Sequence, residues 1–337
     1  MEKHIEIPND NGRQIRINEK NKELARAMNL KGRSFLNISD FTEQELRAIL
    51  DTAHRVKSER TQELKYMRFA SKTLAMIFEK RSTRTRCAFE TAFGEEGGHP
   101  VFLTKDDIHL GEKESLEDTS RVLGRMFSGI VFRGYKQETV ETLSKFSGIP
   151  VYNALTDLFH PTQALADIMT IEEEFHTIAG RKVVYIGDGR NNVAHSLIQG
   201  CAIFGINITT VTPKNLFPHD SIMNEARKTA EKSGASIRIT DDIEAGVENA
   251  DVIYTDVWVS MGEEAHKEER IRLLKPYQVN AGLMAKTKKS ETIFLHCLPA
   301  VKGMEVTQDV IDGPASRAWD QAENRKHTIK SLMLLTM

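Results

Sequence analysis

Apolar and polar residues alternate between two patterns along the chain. Short runs rich in β-branched and other apolar residues are each followed by a stretch in which apolar residues recur every three or four positions. The short runs predict strands at 73–79, 129–135, 149–155, 182–189, 207–213, 250–258 and 292–299. The amphipathic stretches predict helices at 41–56, 160–175 and 221–234. Thr42 and Glu45 form a capping box at the start of the first of these helices.

The predicted strands fall into two groups, three in the first half of the chain and four in the second. Strands that alternate with helices are typical of parallel sheets covered by helices on both faces. A chain of 337 residues is longer than one average domain and can fill two. We therefore predict an α/β protein of two domains, each a mainly parallel sheet flanked by helices, with its site in the cleft between them.

The first 28 residues are polar and contain no apolar core. Acidic residues such as Glu2, Glu6 and Asp10 are unusual in import peptides, and a secretory signal needs an apolar segment. We therefore expect a polar N-terminal arm, and a poorly ordered terminus is its simplest interpretation. No apolar run in the sequence approaches the roughly 20 residues of a membrane span.

The net charge limits the classes of partner that we expect, and the cysteine content limits the cellular compartment. The formal net charge is -2, so there is no general attraction to nucleic acid or to a membrane surface, and we expect neither as a partner. Cys87, Cys201 and Cys297 are widely spaced and odd in number, which argues against a disulfide framework. A reducing compartment, and hence a cytoplasmic location, is the expectation.

Polar and reactive residues follow several of the predicted strands directly. Ligands of open α/β sheets bind beyond the carboxyl ends of the strands, so these residues are candidates for one site. They lie at 82–85, 133–135, 188–192, 256, 260–262 and 296–299.

The segment 82–86 has the residues of an anion site. A helix that begins near Ser82 or Thr83 presents free backbone N–H groups and a partial positive charge. Nearby hydroxyl groups add donors, and Arg84 adds a guanidinium fork. A phosphate or a similar dianion fits such a place. For this segment alone, the alternative is an N-capped helix whose arginines are solvated.

Two further segments indicate what is attached to the anion. Arg133 ends a predicted strand one residue before a glycine and can reach the same crevice. His160 opens a predicted helix, where an imidazole tends to stay neutral and can donate one hydrogen bond to a carbonyl oxygen. Gln163 lies one turn further on and can receive an amide. A structural role is the usual one for a lone histidine, but together these residues suit a small molecule with a phosphate and a planar carbonyl or amide.

These segments resemble those of the aspartate/ornithine carbamoyltransferase family. Residues 82–86, 133–135 and 160–163 are similar to the carbamoyl-phosphate motifs of the family, and 256–262, 296–299 and 322–330 are similar to its ornithine branch. The resemblance runs in order from about residue 29 to 337. It implies transfer of the carbamoyl group of carbamoyl phosphate to the δ-amine of L-ornithine, giving L-citrulline and phosphate, in arginine metabolism.

The resemblance also implies a role for individual residues. Those implied to bind carbamoyl phosphate are Ser82, Thr83, Arg84, Thr85, His109, Arg133, His160, Gln163, Cys297, Leu298 and Arg325. Those implied to bind ornithine are Asn192, Asp256, Ser260 and Met261. Catalysis is assigned to Arg133, His160, Asp256 and Cys297, with the thiol orienting the amine and forming no thioester.

Domain boundaries and assembly follow from the same resemblance. Residues 29–158 with 320–337 are expected to form the carbamoyl-phosphate-binding domain, and 159–319 the ornithine-binding domain. In the family, the loop at 107–115 reaches the site of a neighbouring subunit, which implies a homotrimer or a multiple of trimers. His109 is then the expected contact across that interface, and Lys113 is a weaker candidate.

One motif suggests a cofactor at first sight. The segment 185–196 follows a strand and contains Gly187 and Gly189, as in dinucleotide-binding proteins. However, Val193 and Ala194 stand where the third glycine is expected, and no acid ends the next predicted strand. We therefore expect no nicotinamide cofactor, and the sequence contains no metal-binding motif.

Three alternatives remain at this level. A putrescine carbamoyltransferase would have no α-carboxylate for Asn192 and the 260–261 loop to bind. An aspartate enzyme would need cations for a second carboxylate, and the 260–262 loop with Cys297 offers none. A catalytically silent regulatory homologue would be expected to have lost part of the site, whereas Arg84, Arg133 and Arg325 are all present.

Overall fold

The computed structural model describes residues 21–108, 113–259 and 266–337. Three of the predicted site residues, His109, Ser260 and Met261, lie outside the described residues.

The described part of the chain contains nine strands in two parallel sheets. All seven predicted strands are present, though most are shorter than the apolar runs. The strands are β1 (Thr73–Phe78), β2 (His99–Thr104), β3 (Gly129–Arg133), β4 (Val151–Leu155), β5 (Lys182–Ile186), β6 (Asn207–Val211), β7 (Ile237–Thr240), β8 (Val252–Thr255) and β9 (Ile293–His296).

The first sheet has the strand order β2-β1-β3-β4, and the second has the order β7-β6-β5-β8-β9. Every pairing is parallel. The central strands β1, β3 and β5 are buried on both faces because helices cover both sides of each sheet. The prediction of a two-sheet α/β protein is therefore confirmed.

Helices connect the strands and cover the sheets. Residues 21–27 are helical and are called α1. The other helices are α2 (Glu43–Thr61), α3 (Thr83–Gly94), α4 (Leu116–Met126), α5 (Gln137–Ser147), α6 (Pro161–Phe175), α7 (Asn192–Ile203), α8 (Asp220–Ser233), α9 (Ile243–Val247), α10 (Lys267–Leu274), α11 (Ala281–Ala285), α12 (Gln308–Ile311) and α13 (Ala318–Thr336). None of the described helices is long and apolar enough to cross a bilayer.

Two strands were missed by the sequence pattern, and both are at sheet edges. β2 contains Pro100, which lacks a backbone donor and is tolerated in a sheet mainly at an edge. β7 has only four residues, and Arg238 within it is exposed. Half-covered edge strands carry little of the apolar signal by which buried strands are found.

The expectation of a poorly ordered arm is wrong for its last part. In α1, Ala25 is buried, and Asn21 accepts a hydrogen bond from Arg55 of α2. Leu30, just beyond the helix, is fully buried in the main apolar core. Because the segment is mostly polar, the sequence pattern did not reveal its few buried apolar residues.

Helices α6 and α13 hold the two sheets together. α6 leads from the first sheet to the second and is buried along most of its length. α13 comes last in the chain yet packs on α2, α3 and α6 and also contacts β9. The largest apolar core therefore runs without a break from Phe35 and Phe89 near the first sheet to Tyr254 and Leu295 in the second.

Candidate active site

A cavity of about 650 Å³ opens where the carboxyl ends of the two sheets face each other. Eleven of the predicted site residues line it: Ser82, Thr83, Arg84, Thr85, Arg133, His160, Asn192, Asp256, Cys297, Leu298 and Arg325. Both domains and the last helix thus contribute to one crevice, as parallel α/β sheets predict.

The first wall of the cavity is the start of α3. Ser82 has an extended backbone and is the N-cap, and its Oγ accepts a hydrogen bond of 3.3 Å from the backbone N–H of Thr85. The first backbone N–H groups of a helix have no partner within the helix, so those of Thr83 and Arg84 can bind an anion. The expected helix start is confirmed.

Three guanidinium groups converge beside this helix start. Arg133 and Arg325 are buried, and Arg84 is partly buried. Burial, followed by the charges of Arg325 and Arg84, lowers the pKa of Arg133 to about 9. Burial also lowers the pKa of Arg325 to about 10. Cations that depress each other's pKa in this way are stabilised when an anion with two negative charges binds between them.

Sheet register explains why Arg133 lies there. In the pairing of β1 with β3, Arg133 is opposite Phe78, so both strands end at the same level. The pairing of β3 with β4 is irregular at this point, since Phe132 is opposite Asn153 but Arg133 is opposite Leu155. Such irregularities are frequent next to sites because they redirect a side chain.

Thr85 connects two of the three arginines. Its Oγ1 accepts a hydrogen bond of 3.2 Å from Nη1 of Arg133 and another of 2.9 Å from Nη2 of Arg325. Guanidinium groups can only donate. The hydroxyl proton of Thr85 therefore remains available for an acceptor in the cavity.

His160 is the N-cap of α6 and is 4% exposed. Burial, followed by the charges of Arg325, Arg133 and Arg84, lowers the pKa of His160 well below its usual value. The imidazole is therefore neutral at pH 7, as expected from the sequence. Burial is the largest cause of this shift, and a neutral imidazole can still donate one hydrogen bond.

Gln163 lies one turn behind His160 and is not part of the cavity wall. Its Nε2 donates a hydrogen bond of 2.8 Å to Oδ1 of Asp167, while Oε1 has no partner within the described residues. Burial raises the pKa of Asp167 to about 7. Gln321 of α13 also donates to Asp167, at 2.6 Å, so this buried carboxyl connects α6 with α13.

The second domain contributes a carboxylate and a thiol. β8 and β9 pair with Thr255 opposite His296, so the residues that follow, Asp256 and Cys297, lie side by side. The Sγ–H of Cys297 donates a hydrogen bond of 3.0 Å to Oδ1 of Asp256. Burial and the charge of Asp256 raise the pKa of Cys297 well above its usual value, so the group is a thiol at neutral pH.

Asn191 lies in the polar segment 188–192 that the sequence singled out, but the sequence analysis gave this residue no role of its own. It is the N-cap of α7, and its Oδ1 accepts from the backbone N–H of Val193 at 2.7 Å. Its Nδ2 donates a hydrogen bond of 2.9 Å to Oδ2 of Asp256 and so fixes the carboxylate. An asparagine at the start of the helical pattern that follows the predicted strand 182–189 is a capping signal and could have been singled out.

Leu298 follows the thiol with a φ of 59°. The left-handed region costs a residue with a side chain roughly 1–2 kcal/mol, and such backbone outliers are concentrated at functional sites. The backbone N–H of Leu298 donates a hydrogen bond of 2.8 Å to Nδ1 of His296.

The atoms of Asp256, His296 and Cys297 that can bind a metal lie within 4.8 Å of one another. These atoms are already engaged, because His296 Nδ1 accepts from Leu298 and its Nε2 lies 3.3 Å from Glu305. Hydrogen bonds within the protein therefore explain why these three side chains lie close together.

Comparison with known proteins gives the family. The family model for the carbamoyl-P binding domain of aspartate/ornithine carbamoyltransferase matches residues 33–173, and that for the Asp/Orn binding domain matches residues 179–336. The chain belongs to the aspartate/ornithine carbamoyltransferase family.

Individual members of the family are similar over nearly their whole length. An ornithine carbamoyltransferase of Caldanaerobacter subterraneus subsp. tengcongensis is 61% identical over 311 residues, which is 92% of this chain and 99% of that protein. A catabolic ornithine carbamoyltransferase of Bacillus licheniformis is 50% identical over 327 residues, covering 92% and 98%. The ornithine carbamoyltransferase structure from Pyrococcus furiosus is 46% identical, with a TM-score of 0.87, covering 91% of this chain and 98% of that one.

Proposed function

We propose that this protein transfers the carbamoyl group of carbamoyl phosphate to the δ-amine of L-ornithine, giving L-citrulline and phosphate in arginine metabolism. The observation that carries the proposal is the composition of the cavity. One domain contributes guanidinium groups and a helix start, and the other contributes a carboxylate bonded to a thiol. The relatives named as ornithine carbamoyltransferases support the same reaction.

The phosphate of carbamoyl phosphate binds at the start of α3. The hydroxyl of Ser82 and the backbone N–H groups of Thr83 and Arg84 donate to its oxygens, together with the nearby guanidinium groups. Each hydrogen bond to a charged group contributes roughly 1.5–3 kcal/mol. The same groups stabilise the phosphate as it leaves, because negative charge grows on it when the bond to carbon breaks.

The carbonyl oxygen of carbamoyl phosphate lies near Thr85, Arg133 and His160. Thr85 already accepts from two arginines, so its own proton points to a further acceptor. His160 is neutral and donates one hydrogen bond. The three donors stabilise the negative charge that the oxygen gains when the amine attacks the carbon.

The carbamoyl NH2 group needs acceptors. Gln163 lies behind the cavity wall at His160, and we expect its Oε1, which has no partner in the described part of the chain, to become accessible to this group when carbamoyl phosphate binds. Nε2 of the same amide is held by Asp167. The backbone carbonyl of Leu298, next to the thiol, is the second acceptor. Two acceptors on a planar amide fix its orientation and thereby the face that the amine attacks.

Ornithine binds on the side of the second domain. Asp256 pairs with its α-ammonium group, and Asn192 with the backbone at 260–261 binds its α-carboxylate. Cys297 lies beside Asp256 and orients the δ-amine. A thiol with a raised pKa suits this role, because a thiolate would be a competing nucleophile.

In the reaction, the nitrogen lone pair of the neutral δ-amine forms a bond to the carbonyl carbon. The bond from that carbon to the phosphate oxygen then breaks, and phosphate leaves with the electron pair. As that bond breaks, the electron pair on the carbonyl oxygen re-forms the C=O double bond. The nitrogen loses one proton, which the leaving phosphate takes up to become HPO4²⁻. Atoms and charges balance without a cofactor.

The test is citrulline formation from carbamoyl phosphate by the purified protein, with L-ornithine, putrescine and L-aspartate compared at equal concentration. We expect a preference for ornithine of at least about 100-fold in kcat/KM, because putrescine leaves the groups that bind the α-carboxylate unpaired. If putrescine is carbamoylated instead, the proposed binding of carbamoyl phosphate would stand, but the roles assigned to Asn192 and residues 260–261 would be wrong. No turnover by folded protein would indicate a silent homologue.

The assembly is part of the proposal. We infer a homotrimer in which His109, together with Lys113, reaches the site of the neighbouring subunit, and light scattering of the purified protein measures the mass. A mixture of His109→Ala and Asp256→Asn subunits, refolded together, tests the shared site. Partial recovery of activity is expected, since some sites then receive both native residues. Mixing without recovery would contradict a shared site.

A cytoplasmic location is inferred from the cysteines. Cys87, Cys201 and Cys297 are all free in the structure, as expected of a protein kept in a reducing compartment. Fractionation of cells that express the protein checks this inference.

A further inference from the structure

The first two turns of α7 hold the segment that leads to His160. Three side chains of the helix bond to three backbone groups of this segment, which we call the 156–160 segment. The bonds are Asn192 Nδ2 to the Thr156 oxygen at 2.5 Å, His195 Nδ1 to the Leu158 oxygen at 3.1 Å, and the His160 N–H to Ser196 Oγ at 2.8 Å.

The three side chains lie on one face of α7. Residues three and four apart lie on the same face of a helix, so positions 192, 195 and 196 point the same way. The segment itself is a turn, because it bends at residues 157 and 158 and the backbone N–H of Thr156 donates to the Phe159 oxygen at 2.9 Å. The three bonds therefore hold a compact turn against one face of the helix.

We infer that His195 and Ser196 are positioning residues for His160, and that they act on the carbonyl oxygen of carbamoyl phosphate through it. The inference rests on the proposed function, which places His160 against that oxygen. The same helix face begins with Asn192, which is proposed to bind the acceptor.

Because this contact is buried, the loss of one of its hydrogen bonds is expected to displace the segment. Ser196 and His195 are fully buried, and His160 is 4% exposed. Without the Ser196 hydroxyl, the buried backbone N–H of His160 loses its hydrogen-bond partner among the described residues. The segment is then expected to move, and displacement of a group in an active site by about 1 Å can reduce the rate roughly 100-fold.

The hydrogen bond to the Leu158 oxygen determines the tautomer of His195. A carbonyl oxygen only accepts, so Nδ1 of His195 must carry the proton. Nε2 has no partner within the described residues. The ring of His219 lies 5.3 Å away and that of Phe159 lies 6.5 Å away. Burial lowers the pKa of His195 to about 4, so the ring is neutral and keeps this arrangement at pH 7.

The test is a double-mutant cycle between Ser196→Ala and His160→Ala, measured as kcat and KM for citrulline formation. We expect Ser196→Ala alone to lower kcat by about 10- to 100-fold, with a smaller change in KM for ornithine. In the His160→Ala background the same change should cost less than about twofold, because the residue that it positions is gone.

Ser331→Ala is the matched control. Ser331 is also a fully buried helical serine, and its hydroxyl bonds to the backbone oxygen of Ile49, away from the cavity. Its effect on kcat should be small and equal in both backgrounds. His195→Asn and His195→Ala give a second comparison, because asparagine places an N–H donor near the position of Nδ1 and alanine does not.

Equal losses from Ser196→Ala in both backgrounds would overturn the inference and leave a structural role only. If Ser196→Ala does not fold, the cycle between His195→Ala and His160→Ala decides in the same way, and recovery of kcat in His195→Asn supports the inference. Failure of the proposed function is distinguishable, because the unmodified protein would then form no citrulline.

Discussion

The hydroxyl of Thr85 accepts a hydrogen bond of 2.9 Å from Nη2 of Arg325, a residue 240 positions later in the chain. Thr85 lies in the first turn of α3, and Arg325 lies on the last helix of the second half. Arg133 donates to the same oxygen at 3.2 Å. A buried hydroxyl that accepts from two cations is left with one proton to donate, which makes Thr85 a candidate donor to the reacting carbonyl.

Replacement of Thr85 by valine tests this role. Valine has nearly the same shape but no hydroxyl, so kcat for citrulline formation is expected to fall by about 100- to 1,000-fold, as when one oxyanion donor is removed. Thr85→Ser keeps the hydroxyl and should retain most of the activity. Steady-state kinetics with saturating ornithine give the comparison, and a valine variant with unchanged kcat would rule out the donor role.

The motif at 82–86 contains its own control for anion binding. Arg84 lines the cavity, whereas Arg86 bonds to Glu90 at 2.9 Å and stacks on Phe102. Arg84→Ala should weaken the binding of inorganic phosphate, measured by calorimetry, by roughly 1.5–3 kcal/mol, or about 10- to 150-fold. Arg86→Ala should leave it within about twofold. Equal losses in the two variants would indicate a general effect of charge.

Cysteine reactivity should separate the two thiols near the site. Cys87 is exposed on α3, and Cys297 is buried with a raised pKa because of burial and the charge of Asp256. Since the thiolate is the reactive form, iodoacetamide at pH 7.5 should modify Cys87 at least about tenfold faster. Asp256→Asn should increase the rate at Cys297. Mass spectrometry of digested protein measures both rates, and comparable rates in the unmodified protein would contradict the prediction.

The buried histidine His195 should make stability depend on pH. Its pKa is lowered from 6.5 to about 4 by burial, so between these values the unfolded chain binds more protons than the folded one. The free energy of unfolding should therefore fall as pH decreases through this window, by about 3 kcal/mol in total from this group. His195→Asn removes the titration, and urea unfolding at pH 7 and pH 4.5 should show a smaller difference than in the unmodified protein.

Predictions of helices and strands were confirmed where all the residues that specify the element lie within one short segment. The helix after Ser82 begins at Thr83, and the helix with the capping residues Thr42 and Glu45 begins at Glu43. Hydrophobic periodicity identified the buried strands because both of their faces are covered. It missed β2 and β7, whose residues at the sheet edges are only partly covered or exposed.

The sequence by itself determined the alternation of strands and helices, the polar residues at the strand ends and the family resemblance. All of these depend on residues that are close together in the chain or on short motifs. Tertiary structure alone decided that Arg325 meets Thr85, that Asn191 fixes Asp256, and that Ser196 bonds to His160. These contacts join residues that are 240, 65 and 36 positions apart, respectively. Strand order and helix packing create such contacts, and neither periodicity nor local propensity specifies them, because both describe only how a segment folds on itself.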